Sequence, residues 1–286
     1  MNVPGVFVLA LLICATSSSQ PQTQNSVPAI DSITKALRER GTRIPIGGSS
    51  HSTVFLSTVT VPSGGDEKDL LTLVWVVFPH GSVTLRVCSV HKIGPANLLY
   101  ETYSPKDALA VVNGGFYGFD SSDKGVPVGL LISEGNRLSN VANNWTSGGI
   151  LLVRNQGDIE IVPIDEKNSL GNPREALQSK PLLIESGLRA VKRDRKDQPF
   201  NRSAIGITAA GDLVIAGAFR DDNQALTLVD FGKFLELLGK VKGVHIKTAL
   251  NLDGATDAHL HVISPTRHWG YEGSNYVPDM LAIVPR

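Results

Sequence analysis

The sequence has no charge excess of either sign: 27 Lys and Arg balance 27 Asp and Glu, for a formal net charge of zero. A nucleic-acid binder normally carries a basic excess, so that class is set aside. Cysteine is scarce, with two in 286 residues, and Cys14 lies in an N-terminal run of the kind removed on export. Loss of that run leaves Cys88 alone and excludes an internal disulfide, so an exported form must be stable through its core. Cys88 sits in the alternating stretch "VTLRVCSV" and reads as a small buried residue rather than a nucleophile. Long apolar runs are also lacking. The run from Val6 to Cys14 is too short to span a bilayer, and no comparable one follows, which argues against a transmembrane anchor. No Gly-x-Ser-x-Gly elbow, phosphate-binding P-loop or Cys-x-x-Cys pair occurs.

What is present is enough apolar residue, 42% of the chain, to fill a large core. The start "MNVPGVFVLALLICATSSSQ" has the build of a secretory signal peptide over residues 1–19, cleaved near Ser17 to Ser19, which predicts a secreted or periplasmic protein. Residues 20–28 read as a disordered polar leader. Residues 29–108 then supply a helix and strands, and 109–286 the main domain, the two expected to form one unit.

Strand patterns dominate. "LLTLVWVVFP" is continuously apolar and suits a strand buried on both faces, while "VTLRVCSV" alternates. "GGILLVRNQGDIEIVPI" and "RSAIGITAAGDLVIAGAF" each read as two strands about a turn, at Asn155 to Asp158 and at Ala209 to Asp212. Four helices carry start signals. The first is "DSITKALRERG", capped by Asp31 or Ser32 and ended by Gly41. The second opens at Ser104 and Pro105, and the third at Asn172, Pro173 and Glu175 in "GNPREALQSKP". The fourth, "TLVDFGKFLELLGKVKG", starts with Thr227 and Asp230 and carries the stripe Leu228, Phe231, Phe234, Leu235 and Leu238 as far as Gly239. The expected class is α+β, with mixed or antiparallel sheets and about four helices.

Five segments hold residues suited to chemistry. "NGGFY" pairs Asn113 with Gly114 and Gly115, which either make a tight turn or offer bare N–H groups to an anion. "GVPVGLLISEGN" carries Pro127 and Gly129 and turns at Glu134, Gly135 and Asn136. Lys180 follows "EALQS" and is either solvated or turned toward the site. Arg202 opens the strand "RSAIG", as a structural ion pair or as a fork for phosphate. "TALNLDGATDAHLHV" ends an apolar strand in Asn251, Leu252, Asp253 and Gly254, where the acid fits an active site or an Asx turn. His259 and His261 in "HLH" share a zinc-like spacing without an evident third ligand. "NWT" at Asn144 and "NRS" at Asn201 satisfy the N-glycosylation pattern.

In this order, "NGGFY", "PVG" at Pro127 to Gly129, "ALQSKP", "RSAIG" and "NLDGA", with the closing "YVPDMLAIVPR", resemble the phosphodiester glycosidase family over about Leu109 to Arg286. The resemblance implies hydrolysis of a sugar joined through its anomeric carbon to a phosphodiester, of the GlcNAc-1-phosphodiester type, giving free sugar and a phosphomonoester. Asp253, Asn113 and Arg202 are then the catalytic candidates, and Gly114, Gly115, Lys180, Asn251 and Gly254 would line the substrate. No cofactor is required. A Ca²⁺ ion shared by Asp253 and Asp257 is allowed by hard-oxygen chemistry without being demanded. The partner is a small molecule or glycan with a sugar-1-phosphate linkage. Where the family has a second glycine and serines, this chain has Ala255, Thr256 and Asp257. That departure keeps open a non-catalytic exported glycan-binding protein linked to exopolysaccharide. An ordinary glycosidase, the other alternative, would pair Asp253 with Glu134 or Asp120.

Overall fold

A computed structural model of the chain describes residues 28–39, 41–46, 54–62, 70–89, 107–123, 125–192, 194, 196–263 and 268–286. The signal peptide, nearly all of the leader and the helix start at Ser104 and Pro105 lie outside the described residues. Three larger sheets and one small ribbon form the fold, and every described strand pairing is antiparallel. Eight strands make the largest sheet, in the order Thr42–Pro45, Phe55–Pro62, Leu70–Phe78, Leu213–Phe219, Arg202–Thr208, Ile246–Asn251, Leu182–Glu185 and Leu188–Arg189. A five-stranded sheet runs Ile159–Pro163, Gly149–Val153, Glu175–Ser179, Leu131–Ser133 and Asn136–Ser139. A second runs His268–Tyr271, Leu260–Ile263, Ala110–Asn113, Asp279–Pro285 and Val83–Ser89.

The continuous apolar strands follow from where the largest sheet lies. Along Leu213–Phe219, Leu213, Ile215 and Phe219 enter a core shared with Leu85, Val112, Leu151, Leu260 and Leu281 of the two smaller sheets. Val214, Ala216 and Ala218 point the other way, against Ile33, Leu37, Phe231, Phe234 and Leu238 of the helices. Successive side chains alternate between faces, so a sheet covered on both sides needs apolar residues at every position. Helices, the large sheet and the two smaller sheets thus make three layers.

Two of the four expected helices form among the described residues. Ile30–Arg38 has Ala29 at its N-cap without a side-chain bond, and it ends at Glu39, not at Gly41. Gly41 serves a close approach instead, because a Cβ there would overlap the Thr58 carbonyl oxygen. The helix Leu228–Lys242 does start at Thr227, whose Oγ1 accepts from the Asp230 N–H at 3.1 Å. It runs past Gly239 to a left-handed Gly243 at φ 74°, the residue that C-terminal geometry favours. The helix expected from Asn172 is a strand, Glu175–Ser179, buried along its whole length. Its Leu177 enters the inner core and its Ala176 the opposite one, so burial on both faces overrides the local start signals. The described end of the Ser104 segment, Ala110–Asn113, is likewise a strand. Two short 3-10 segments, Ile164–Ser169 and Ala255–Asp257, complete the helical content of the described residues. None of the described helices is long and apolar enough to cross a membrane.

Thr227→Ala removes the side-chain cap of the long helix and is expected to cost about 1 kcal/mol of stability, read as a lower urea midpoint with an unchanged slope.

Candidate active site

The three sheets converge where several strands end. In the large sheet, Ala204 pairs with Asn251, and the Leu252 N–H donates to the Ser203 carbonyl at 3.0 Å. Continued two steps past that last strand pair, the same register carries Arg202 opposite Asp253. In the second five-stranded sheet, Asn113 pairs with Met280 and its N–H donates to the His259 carbonyl at 3.2 Å. The Asn113 side chain ties these sheets together. Its Nδ2 donates to the carbonyls of Asp253 at 2.9 Å and Gly114 at 3.2 Å, while Oδ1 accepts from Ser203 Oγ at 2.7 Å and the His259 N–H at 3.1 Å. Asn113 is therefore wholly engaged with protein groups and acts here as a post for the Asp253 backbone.

The paired glycines have a neighbour that pattern reading did not single out. Asp279, at the head of the last strand, is 1% exposed. Its carbonyl accepts from the Gly114 N–H at 3.0 Å and its Oδ1 from the Gly115 N–H at 3.0 Å. A Cβ on Gly114 would overlap Asp279 Oδ1, and one on Gly115 would approach the Gln178 carbonyl oxygen to 2.8 Å. Bare backbone is needed, but its two N–H groups are taken up by the chain itself, that of Gly114 by the Asp279 carbonyl and that of Gly115 by the Asp279 carboxyl. Burial pushes the Asp279 carboxyl up to about 7, and the Gly115 N–H only partly offsets this. Its Oδ2 is buried with no hydrogen-bond partner.

Asp253 stands on the other side of the same glycine, its N–H donating to the Gly114 carbonyl at 3.2 Å. Burial first, then the negative Asp257 and Asp279, push its carboxyl up to about 7, against the Gly254 N–H and Arg202. That N–H donates to Asp253 Oδ1 at 2.8 Å. The single Tyr117 O–H is shared between Asp257 Oδ1 at 3.0 Å and the Tyr276 carbonyl at 2.8 Å. Burial raises Asp257 too, with the Tyr117 bond pulling the other way. Ala255 adopts φ +55°. A Cβ in the left-handed region costs roughly 1 kcal/mol.

Arg202 is 7% exposed. Its Nε donates to the Leu226 carbonyl at 3.0 Å and its Nη2 to the Gln198 carbonyl at 2.8 Å, and Nη2 lies 3.5 Å from Asp197 Oδ1. The Asp197 carboxylate also accepts from the Leu228 and Val229 N–H groups at the start of the long helix, so the guanidinium is braced from behind. Nη1 faces Gly254, where an added Cβ would come to 3.5 Å. Burial lowers the guanidinium to about 10, with Asp197 and then Asp253 pulling it back up; it stays charged at neutral pH. Asn251 donates through Nδ2 to the Lys180 carbonyl at 3.0 Å, which draws Lys180 to the same junction.

Other candidates lie apart or are spent. The Glu134 N–H donates to Glu175, and the carboxylates that raise Asp253 are Asp257 and Asp279. His259 precedes the strand that contains His261. Its Nδ1 accepts from the Gly273 N–H at 2.8 Å, so Nε2 carries the proton offered to the Asn275 carbonyl at 3.1 Å, and burial lowers it to about 4. Among the described residues no three His, Cys, Asp or Glu cluster to hold a metal ion. Burial pushes the Cys88 thiol up to about 11, which suits a packed residue and not a nucleophile. Asn201 is fully buried, its Nδ2 reaching the Arg220 carbonyl, Asn223 Oδ1 and Tyr271 Oη, whereas Asn144 is exposed.

A family model described as phosphodiester glycosidase matches residues 106–284. The chain belongs to the phosphodiester glycosidase family. Among solved structures, it is similar to the zebrafish N-acetylglucosamine-1-phosphodiester alpha-N-acetylglucosaminidase catalytic domain auto-inhibited by its pro-peptide. That likeness has a TM-score of 0.55 and 19% identity over 82% of each chain. A hypothetical protein from Synechocystis gives a TM-score of 0.55 at 13% identity over 85% of this chain and 64% of that one, less than two thirds of its length. At such identities the likeness shows the fold. Comparison with curated proteins returns no match.

Two outcomes follow. In the folded chain Asp279 keeps its proton up to about pH 7, whereas its ordinary value is 3.8. Between these limits the native state binds the extra proton, so stability falls as pH rises. Asp279→Asn keeps the acceptor for Gly115 and cannot ionise. It should flatten that fall and gain roughly 2 kcal/mol at pH 8 over the parent, measured by urea denaturation at pH 4 and 8. Ala255→Gly relieves the left-handed backbone and should add about 0.5–1 kcal/mol, read as a higher melting temperature.

Proposed function

We propose that the chain hydrolyses the bond between a sugar's anomeric carbon and a phosphodiester oxygen, releasing free sugar and a phosphomonoester, with a GlcNAc-1-phosphodiester as the type of substrate. The family supplies the reaction class. The observation that carries the assignment is the pairing of a buried acid, Asp253, with a braced guanidinium, Arg202, at the ends of neighbouring strands. Arg202 is ion-paired through Nη2 with Asp197, which leaves Nη1 to meet a phosphate oxygen.

An ordinary glycosidase needs a second carboxylic acid to protonate its leaving alcohol. A phosphomonoester leaves far more readily, so charge stabilisation on the phosphate replaces that acid. Arg202 supplies it, and ionised Asp253 stabilises the oxocarbenium-like carbon or takes a proton from the attacking water. Asn113 positions Asp253 through its carbonyl, and Ser203 holds Asn113 in turn. Gly114 and Gly115 hold Asp279 rather than the substrate, Gly254 lets the chain pass close to the Asn201 carbonyl, and Asn251 sets the Lys180 backbone. The signal-like N-terminal run supports export, to the cell exterior or a periplasm.

A second reading, a sugar-phosphate-binding protein without turnover, draws on Asp257. Burial first, and then the negative charge of Asp257, raise Asp253, so that less of it is ionised near neutrality. Both readings meet one assay. Mature protein is incubated with methyl-phospho-GlcNAc and with methyl GlcNAc, and free sugar is measured. Sugar from the phosphodiester alone supports the hydrolase. Binding without product from either compound supports the second reading.

Asp253→Asn should lower kcat by at least 10³-fold while leaving the circular dichroism spectrum unchanged. In the parent, kcat/KM should rise through about pH 7, as the carboxyl loses its proton, and level off above it. A profile that falls through that range would overturn the role of ionised Asp253.

A further inference from the structure

The junction holds a second cation that the chemistry at Asp253 does not use. Lys180 Nζ lies 4.8 Å from the ring centroid of Trp145 and 5.9 Å from that of Phe116. These rings pack edge to face at 5.6 Å and 81°. Among the described residues no Asp or Glu forms an ion pair with Lys180. Aromatic faces hold an ammonium without cancelling its charge, so its pull on an incoming anion persists.

Its place in the fold ties this cation to the site. The Lys180 and Pro181 carbonyls accept from Asn251 Nδ2 and N–H, each at 3.0 Å, two residues before Asp253. The strand Ile246–Asn251 lies between the one that Arg202 opens and the one that follows Pro181. Arg202 and Lys180 therefore flank the acid from opposite sides, their main chains roughly 10 Å apart at two strand spacings. One phosphoryl group gripped by Arg202 beside Asp253 leaves Lys180 for a charge farther along the substrate. Phe116 directly follows the glycines that hold Asp279, so one wall of the lysine cage is built from the turn that also fixes Asp253.

Resting on the hydrolase reading above, we propose that Lys180, caged by Trp145 and Phe116, forms a second anion subsite. The preferred substrates then carry a further negative group beyond the scissile phosphate, as in a sugar joined through a diphosphate.

The test compares kcat/KM of the full chain on uridine diphosphate N-acetylglucosamine and on methyl-phospho-GlcNAc. The quantity read is the ratio of the first to the second, in the parent, Lys180→Met and Lys180→Arg. The parent should prefer the diphosphate, Lys180→Met should lower the ratio at least tenfold, and Lys180→Arg should keep most of it. A parent with no preference, or the same ratio in Lys180→Met, overturns the subsite. A merely structural lysine would change both substrates alike and leave the ratio where it was. Should the parent turn over neither compound, the hydrolase reading falls. The ratio of their dissociation constants, measured by calorimetry on the same three proteins, then decides on Lys180 by the same criterion.

Discussion

The side chain of Asn113 is the joint on which the site depends. Four hydrogen bonds from one buried carboxamide connect the large sheet, through Ser203 and the Asp253 carbonyl, to the smaller sheet, through Gly114 and His259. In a dry interior such a group is either fully paired or costly, because each lost partner leaves an orphaned donor or acceptor. Only one relative placement of the two sheets satisfies it. Asp253 is consequently located by main-chain register and main-chain bonds, and its carboxyl is left with a single bond, to Gly254.

The second constraint is electrostatic. Asp253, Asp257 and Asp279 meet in a region poor in water, where each negative charge resists the next. The buried cation within reach, Arg202, is itself shared with Asp197. Such crowding works against folding at neutral pH and is the kind of local cost that active sites carry. Ala255 adds backbone strain at the same corner. The bonded network around Asn113 and the packed core beneath it hold these residues in place.

Much of this was legible in the chain. Hairpins about Asn155 to Asp158 and Ala209 to Asp212 form as their turn residues require, and the apolar runs report a sheet covered on both faces. The five motif segments do come together, because strand pairing makes neighbours of positions such as Ala204 and Asn251. The third helix was misread because Asn172, Pro173 and Glu175 are local signals, whereas Glu175–Ser179 is a strand for a non-local reason, burial between two partners. The need for bare backbone at Gly114 and Gly115 could be read from composition. Its cause could not, since Asp279 lies 164 residues from the N–H it binds and looks like any polar residue at a strand's start. Tyr117 and Ser203 were visible only as letters inside motifs, with nothing local to mark them as partners of Asp257 and Asn113.

Asn201 carries a consequence for how the chain is made. The tripeptide Asn201-Arg202-Ser203 invites an oligosaccharide in a glycosylating compartment, yet its amide nitrogen is sealed against Arg220, Asn223 and Tyr271. A sugar tree attached there has no room once the walls have closed, so in such a compartment the order of events becomes decisive. Closure ahead of the transferase leaves the asparagine unmodified, and modification ahead of closure keeps the neighbouring Arg202 from its berth.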